Sequence, residues 1–116
     1  MSWDIIKLIR GDSHTRTFYI PQFDQSEGWY ELKENDVVYF GITLPHQPFE
    51  NAIIKKKFIK ADQQEDLSFR VWLTPEDTID LLPGIYYYSI KVLRNANTNY
   101  ELVDTIVSKH KVVVND

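Results

Sequence analysis

Apolar residues recur at every second position over much of the chain, most clearly within residues 37–44, 67–73 and 85–93. In the second of these segments, Val71 and Leu73 share one side while Trp72 faces the other. This alternation is typical of β-strands with one face toward a core and one toward water. Valine, isoleucine, tyrosine and phenylalanine, which favour strands, dominate the same segments.

Weaker strand signals fill most of the remaining chain, at residues 4–9, 14–20, 52–60 and 100–114. The third of them contains Lys55, Lys56 and Lys57, which indicates a solvated strand at the edge of a sheet. Polar stretches such as residues 10–13 and 95–99 separate the segments and predict turns. Short strands at this spacing predict an all-β fold, an antiparallel β-sandwich of about seven to eight strands.

One short helical turn is predicted near residues 75–82. Thr74 is a good N-cap, and Pro75 is favoured at the first helical position. Ile79 and Leu82 are three residues apart and are expected to face the core together. Pro83 and Gly84 end the helix and precede the next strand, so the turn is expected to cross between two sheets.

Length and charge narrow the class of protein. The 116 residues predict a single domain spanning residues 1–116. Thirteen basic and seventeen acidic residues give a formal net charge of −4, which disfavours nucleic acid as a partner. No apolar run is long enough to span a membrane, and the N-terminus lacks the features of a signal peptide. The sequence therefore predicts a protein made in the cytoplasm.

Residues that carry catalytic or metal chemistry do not form a recognisable pattern. The chain has no cysteine, and His14, His46 and His110 lie in separate segments without metal-ligand spacing. Glu76 and Asp77 are explained by the helix N-terminus, where carboxylates are favoured. No nucleophile motif or phosphate-binding glycine loop is present. The sequence predicts neither an enzyme nor a bound cofactor or metal.

Aromatic residues are the remaining candidates for function, since they make up 14% of the chain. Three of them fall on the outward side of the predicted strands, and two lie in a predicted loop or edge segment. Exposed aromatic side chains can be buried by a protein partner or can stack on sugar rings. The candidate interaction surface consists of Trp29, Tyr30, Tyr39, Trp72 and Tyr87.

Two stretches carry a resemblance to a known family. Residues 73–78 read LTPEDT, position 81 is leucine, and residues 83–90 read PGIYYYSI. An early Gly11-Asp12 turn, the stretch GWYEL at 28–32 and a terminal valine strand occur in the matching order. This arrangement resembles an Ig-like domain family of bacteriophage tails and prophages, including the N-terminal domain of baseplate upper proteins of phages of Gram-positive bacteria. Ser89 stands where that family usually has aspartate.

The resemblance implies an Ig-like antiparallel sandwich that acts as a non-catalytic structural or interaction module of a tail or baseplate. Its partners would be other tail or baseplate proteins, with self-association left open, and its location would be the virion. The family supplies no catalytic residue to carry over. The alternative hypothesis is a small carbohydrate-binding module that recognises cell-surface glycans with the same aromatic residues.

Overall fold

Seven β-strands and three short helical turns form within residues 4–116, the part of the chain that the computed structural model describes. The protein is mostly β, as the alternating apolar pattern predicts. The strands are β1 (Ile6–Ile9), β2 (His14–Phe18), β3 (Val37–Thr43), β4 (Ile54–Phe58), β5 (Phe69–Leu73), β6 (Gly84–Arg94) and β7 (Leu102–Asn115). The helix α1 spans Pro75–Ile79, and 3₁₀ turns span Phe49–Asn51 and Lys60–Asp62.

The strands divide into two sheets of unequal size. The large sheet has the order β1-β7-β6-β3-β4 and curls into a half-barrel, whereas the small sheet consists of β2 and β5. All pairs are antiparallel except β1 with β7, which run parallel. The lysine-bearing strand β4 forms an edge of the large sheet, as its sequence predicts. The hairpin between β6 and β7 likewise confirms the predicted turn at residues 95–99.

The core lies between the two sheets and follows the alternation closely. On β5, Phe69, Val71 and Leu73 are buried while Trp72 faces outward. The ring of Phe18 stacks on Phe69 with centroids 5.3 Å apart. Phe58 meets Phe69 at 5.7 Å, which joins the edge strand β4 of the large sheet to the small sheet. Aromatic packing of this kind closes the fold along one side.

Helix α1 connects the small sheet to the large one and begins as predicted. The Thr74 hydroxyl accepts a hydrogen bond from the Asp77 backbone N–H, and the Asp77 carboxylate accepts one from the Thr74 N–H. This reciprocal pair is a capping box. The Asp77 carboxylate also lies 2.7 Å from Lys56 Nζ, which ties the helix to β4.

The prediction that Ile79 and Leu82 face the core is wrong. The two side chains are 48% and 70% exposed, and Leu81 is buried between them in sequence. The helix ends at Ile79, so the two residues do not lie on a common helical face. The chain turns at Asp80 and directs Leu81 inward instead.

Candidate interaction surfaces

The five aromatic residues singled out in the sequence lie in three separate parts of the structure. Trp72 is on the small sheet, and Tyr39 and Tyr87 are on the large sheet. Trp29 and Tyr30 belong to the segment that connects β2 to β3. They therefore do not form one continuous surface, and different side chains surround them at each location.

Trp72 is the most exposed of the five, with 61% of its surface accessible. It lies directly across from Thr15 on β2, next to the pair formed by Thr17 and Arg70. Directly opposed residues of antiparallel strands share a face. The outward side of the small sheet thus presents an indole flanked by two threonines and one guanidinium group.

Tyr39 and Tyr87 lie on neighbouring strands and on the same outward side of the large sheet, which is its outer face. They are not directly opposed, because Tyr39 pairs with Lys91 whereas Tyr87 pairs with Thr43. The two tyrosines are therefore not cross-strand partners. The cross-strand row of Tyr39 and Lys91 therefore lies four residues along β3 from the row of Thr43 and Tyr87.

Phe49 lies between these rows, over Gly41, and was not identified from the sequence. A Cβ atom at Gly41 would lie 2.6 Å from Phe49 Cε2, so only glycine leaves room for this ring. Lys55 Nζ lies 5.1 Å from the ring centroids of both Tyr39 and Phe49. Lys91 Nζ lies 4.9 Å from the Phe49 centroid. The aromatic rings of the outer face are thus paired with lysines in cation–π geometry.

Trp29 stacks on Tyr19 at the rim of a cavity between the two sheets, with ring centroids 4.8 Å apart. The cavity has a volume of about 410 Å³. Apolar and aromatic side chains form most of its wall, and Asp4 and Arg16 add charged groups. Its other lining residues are Ile6, Thr17, Phe18, Phe40, Tyr88 and Ile90.

Tyr30 takes part in a buried hydrogen-bond network. Its hydroxyl donates to the carboxylate of Asp36 at 2.5 Å. The same carboxylate accepts backbone N–H bonds from Lys33 and Asn95, and Asp36 is only 1% exposed. Burial and the neighbouring Asp36 carboxylate raise the pKa of the Tyr30 hydroxyl. This network joins the segment before β3 to the turn between β6 and β7.

The three histidines remain apart in the fold. His14 is on β2, His46 is in the loop after β3, and His110 is on β7 beside the ring of Tyr88. Burial, together with the charge of Arg16, lowers the pKa of His14. Among residues 4–116, no group of three or more histidine or acidic side chains is placed to hold a metal ion.

Within the described range, none of the helical segments has the length and apolar character needed to cross a lipid bilayer. Comparisons of the chain with protein-family models, with curated proteins and with solved structures give no match.

Proposed function

We propose that this protein is a non-catalytic interaction module of a phage or prophage tail or baseplate, built on an Ig-like β-sandwich. The tail assignment is supported by the sequence resemblance at residues 73–90. The Ig-like assignment is supported further by two features of the fold. In this proposal the protein is made in the cytoplasm and then incorporated into the virion.

Strand order is the first supporting feature. The order β7-β6-β3-β4 corresponds to G-F-C-C′ of a variable-type immunoglobulin sheet, and β2 with β5 corresponds to the B–E pair. Tyr86 is the second feature. It lies near the start of β6, and its hydroxyl donates to the backbone carbonyl of Leu82 at 2.7 Å. A hydrogen bond of this type is the tyrosine corner of Ig-like sandwiches.

The observation that carries the interaction role is the exposure of Trp72. Burial of a large exposed indole against a partner releases substantial free energy because it removes apolar surface from water. Tryptophan is also enriched among the residues that dominate binding energy. Its neighbours Thr15, Thr17 and Arg70 add hydrogen-bonding groups around it. This combination is typical of a protein interface with an aromatic anchor and a polar rim.

The test uses the whole protein as bait in a lysate of its source cells after prophage induction, with mass spectrometry of the retained proteins. Wild type is expected to retain tail or baseplate proteins, and Trp72→Ala is expected to retain much less. Tyr100→Ala is the matched control, because Tyr100 is also exposed but lies in the β6–β7 turn. If wild type retains no phage protein, the tail assignment is wrong.

The stacked pair of Tyr19 and Trp29 favours a second candidate, a carbohydrate-binding module. Aromatic faces at the rim of a cavity with nearby polar groups suit a sugar ring. Cell-wall sugars would be titrated while tryptophan fluorescence is followed. A saturable change in wild type that Tyr19→Ala abolishes would favour this candidate, because that variant keeps the Trp29 fluorophore. No change with any sugar would count against it.

A further inference from the structure

The outer face of the large sheet has an uneven distribution of charge. Five charged side chains occupy its paired outward strand positions, and all of them are lysines. No outward strand position of this sheet within residues 4–116 carries aspartate or glutamate, although the whole chain has a net charge of −4. The five are Lys7, Lys55, Lys57, Lys91 and Lys111.

These lysines have no carboxylate partner in the described structure. The three ion pairs within residues 4–116 use Arg10, Lys56 and Arg94 instead. Lys56 is on β4 with Lys55 and Lys57, but it points away from the outer face, toward Asp77. The lysines of the outer face are therefore not paired with carboxylates, whereas solvated surfaces normally mix both signs.

Aromatic and aliphatic side chains complete the outer face. Lys91, Tyr39 and Lys57 form one row across three strands. At one end of the sheet, Val37, Leu93 and Val103 form an aliphatic row, and Val103 is 62% exposed. At the other end, the exposed Ile85 pairs with Val113. Exposed apolar side chains at both ends of this basic face favour a surface that a partner covers.

We infer that the outer face binds an acidic protein surface on a different chain, with lysines facing carboxylates and the aliphatic rows facing apolar residues. This inference rests on the proposed role as an interaction module, and it identifies the chemistry of one partner. The complementarity would speed association and define which partner binds.

A symmetric pair of this chain does not fit the same face. A two-fold interface brings this face against its own copy, so its lysines would meet a second basic surface whose outward strand positions carry no carboxylate. A single-stranded nucleic acid fits less well because its bases need open aromatic faces for stacking. Here the Tyr39 and Phe49 rings are covered by Lys55, and Phe49 is packed against the backbone at Gly41.

The test measures binding of a random copolymer of glutamate and tyrosine by calorimetry. Wild type is expected to bind it, and Lys57→Glu/Lys111→Glu is expected to weaken binding about tenfold or more. Lys33→Glu/Lys60→Glu is the control, since it makes the same change in net charge at exposed positions off the sheet. Lys57→Gln/Lys111→Gln provides a milder variant, and far-UV circular dichroism confirms that each variant is folded.

Several results would overturn the inference. Equal weakening in the face variant and the control would mean that only bulk charge matters. If wild type binds an oligodeoxythymidine more tightly than the copolymer, and Lys57→Glu/Lys111→Glu loses that binding, the face would be assigned to nucleic acid. A wild-type oligomer that Lys57→Glu/Lys111→Glu dissociates would assign it to a second copy.

The bait experiment separates this inference from the proposed function. If wild type and Lys57→Glu/Lys111→Glu retain the same tail proteins equally, the module role holds and the outer face is not its interface. If no tail protein is retained but the copolymer binds only through the outer face, the face remains a docking site for an acidic protein while the tail assignment fails.

Discussion

At the scale of single residues, the buried carboxylate of Asp36 is the clearest contributor to the stability of the fold. Asp36 accepts hydrogen bonds from the Tyr30 hydroxyl and from the N–H groups of Lys33 and Asn95. A buried charge without such partners is costly, whereas three donors compensate for lost hydration. Asp36 thereby joins the segment before β3 to the turn between β6 and β7. Its sequence neighbourhood, Glu34-Asn35-Asp36, predicts only a turn.

Tyr30→Phe tests this network directly. Removal of the hydroxyl leaves Oδ2 of the buried Asp36 carboxylate with one donor, the Lys33 N–H, instead of two. We therefore expect the free energy of unfolding to fall by about 1–3 kcal/mol. Urea denaturation at pH 7 measures the loss. Tyr100→Phe is the control, because Tyr100 is largely exposed and should change stability by less than about 0.5 kcal/mol. Equal stability of Tyr30→Phe and wild type would contradict the structural role of this bond.

The raised pKa of Tyr30 makes a separate prediction at alkaline pH. The folded protein keeps the hydroxyl proton to a higher pH than the unfolded chain, whose tyrosines titrate near about 10. The stabilisation is thus complete below about pH 10 and is lost as the pH rises further. We expect the stability difference between wild type and Tyr30→Phe to shrink above that pH. A difference that stays constant up to the highest pH at which the protein folds would argue against the raised pKa.

Gly41 and Phe49 form a pair whose coupling can be measured. Gly41→Ala forces the Phe49 ring off the sheet, because the new Cβ would lie 2.6 Å from Cε2. We expect a loss of about 1–3 kcal/mol from overpacking. The loss should be much smaller when Phe49→Ala is already present, since the clash is then gone. Urea denaturation of wild type, the two single variants and the double variant measures this coupling. If the losses of unfolding free energy in the single variants add up to the loss in the double variant, the two positions are independent.

At the scale of elements, the start of α1 is a purely local feature. The capping box of Thr74 and Asp77 depends on residues within one turn. Thr74→Ala is expected to destabilise the protein by about 1 kcal/mol, whereas Thr74→Ser retains the hydroxyl and should cost less. Thermal unfolding compares the two variants. A Thr74→Ser variant as unstable as Thr74→Ala would indicate that the methyl group matters more than the hydrogen bond.

Strands and caps could be predicted because their signals are local. The alternation in β3, β5 and β6 correctly indicates the large apolar side chains that are buried, although Thr43 and Ser89 on the opposite side are buried as well. The helix was predicted near residues 75–82, but α1 ends at Ile79 and leaves Leu82 exposed. Phe49 was missed because its position depends on contact with Gly41, eight residues earlier in the chain. The one sequence signal for it is a glycine within a strand of large residues.

At the scale of the whole molecule, the pairing of the strands was not predictable. The parallel pairing of β1 with β7 joins segments from opposite ends of the described chain, and no local pattern encodes it. The same holds for the lysine-rich outer face. Its five lysines come from four strands, so their common location follows only from the register of those strands. A negative net charge conceals this positive face.

The unequal sheets lead to a prediction about cooperativity. A sheet of only two strands is marginally stable in water by itself, so β2 and β5 depend on the core that they share with the large sheet. Phe69 and Val71 are fully buried in that core. We therefore expect the urea transition followed by tryptophan fluorescence to coincide with that followed by far-UV circular dichroism.

Val71→Ala sharpens this test, because it weakens the small sheet at its contact with the core. Loss of two buried methyl groups should lower both transition midpoints by the same amount, since one cooperative unit unfolds. Thr17→Ala is the matched control on the outward side of β2 and should leave both midpoints nearly unchanged. If the fluorescence transition of Val71→Ala precedes the circular dichroism transition, the small sheet detaches first. The outer face of the large sheet could then persist without the surface that carries Trp72, and the two proposed interfaces would belong to units of different stability.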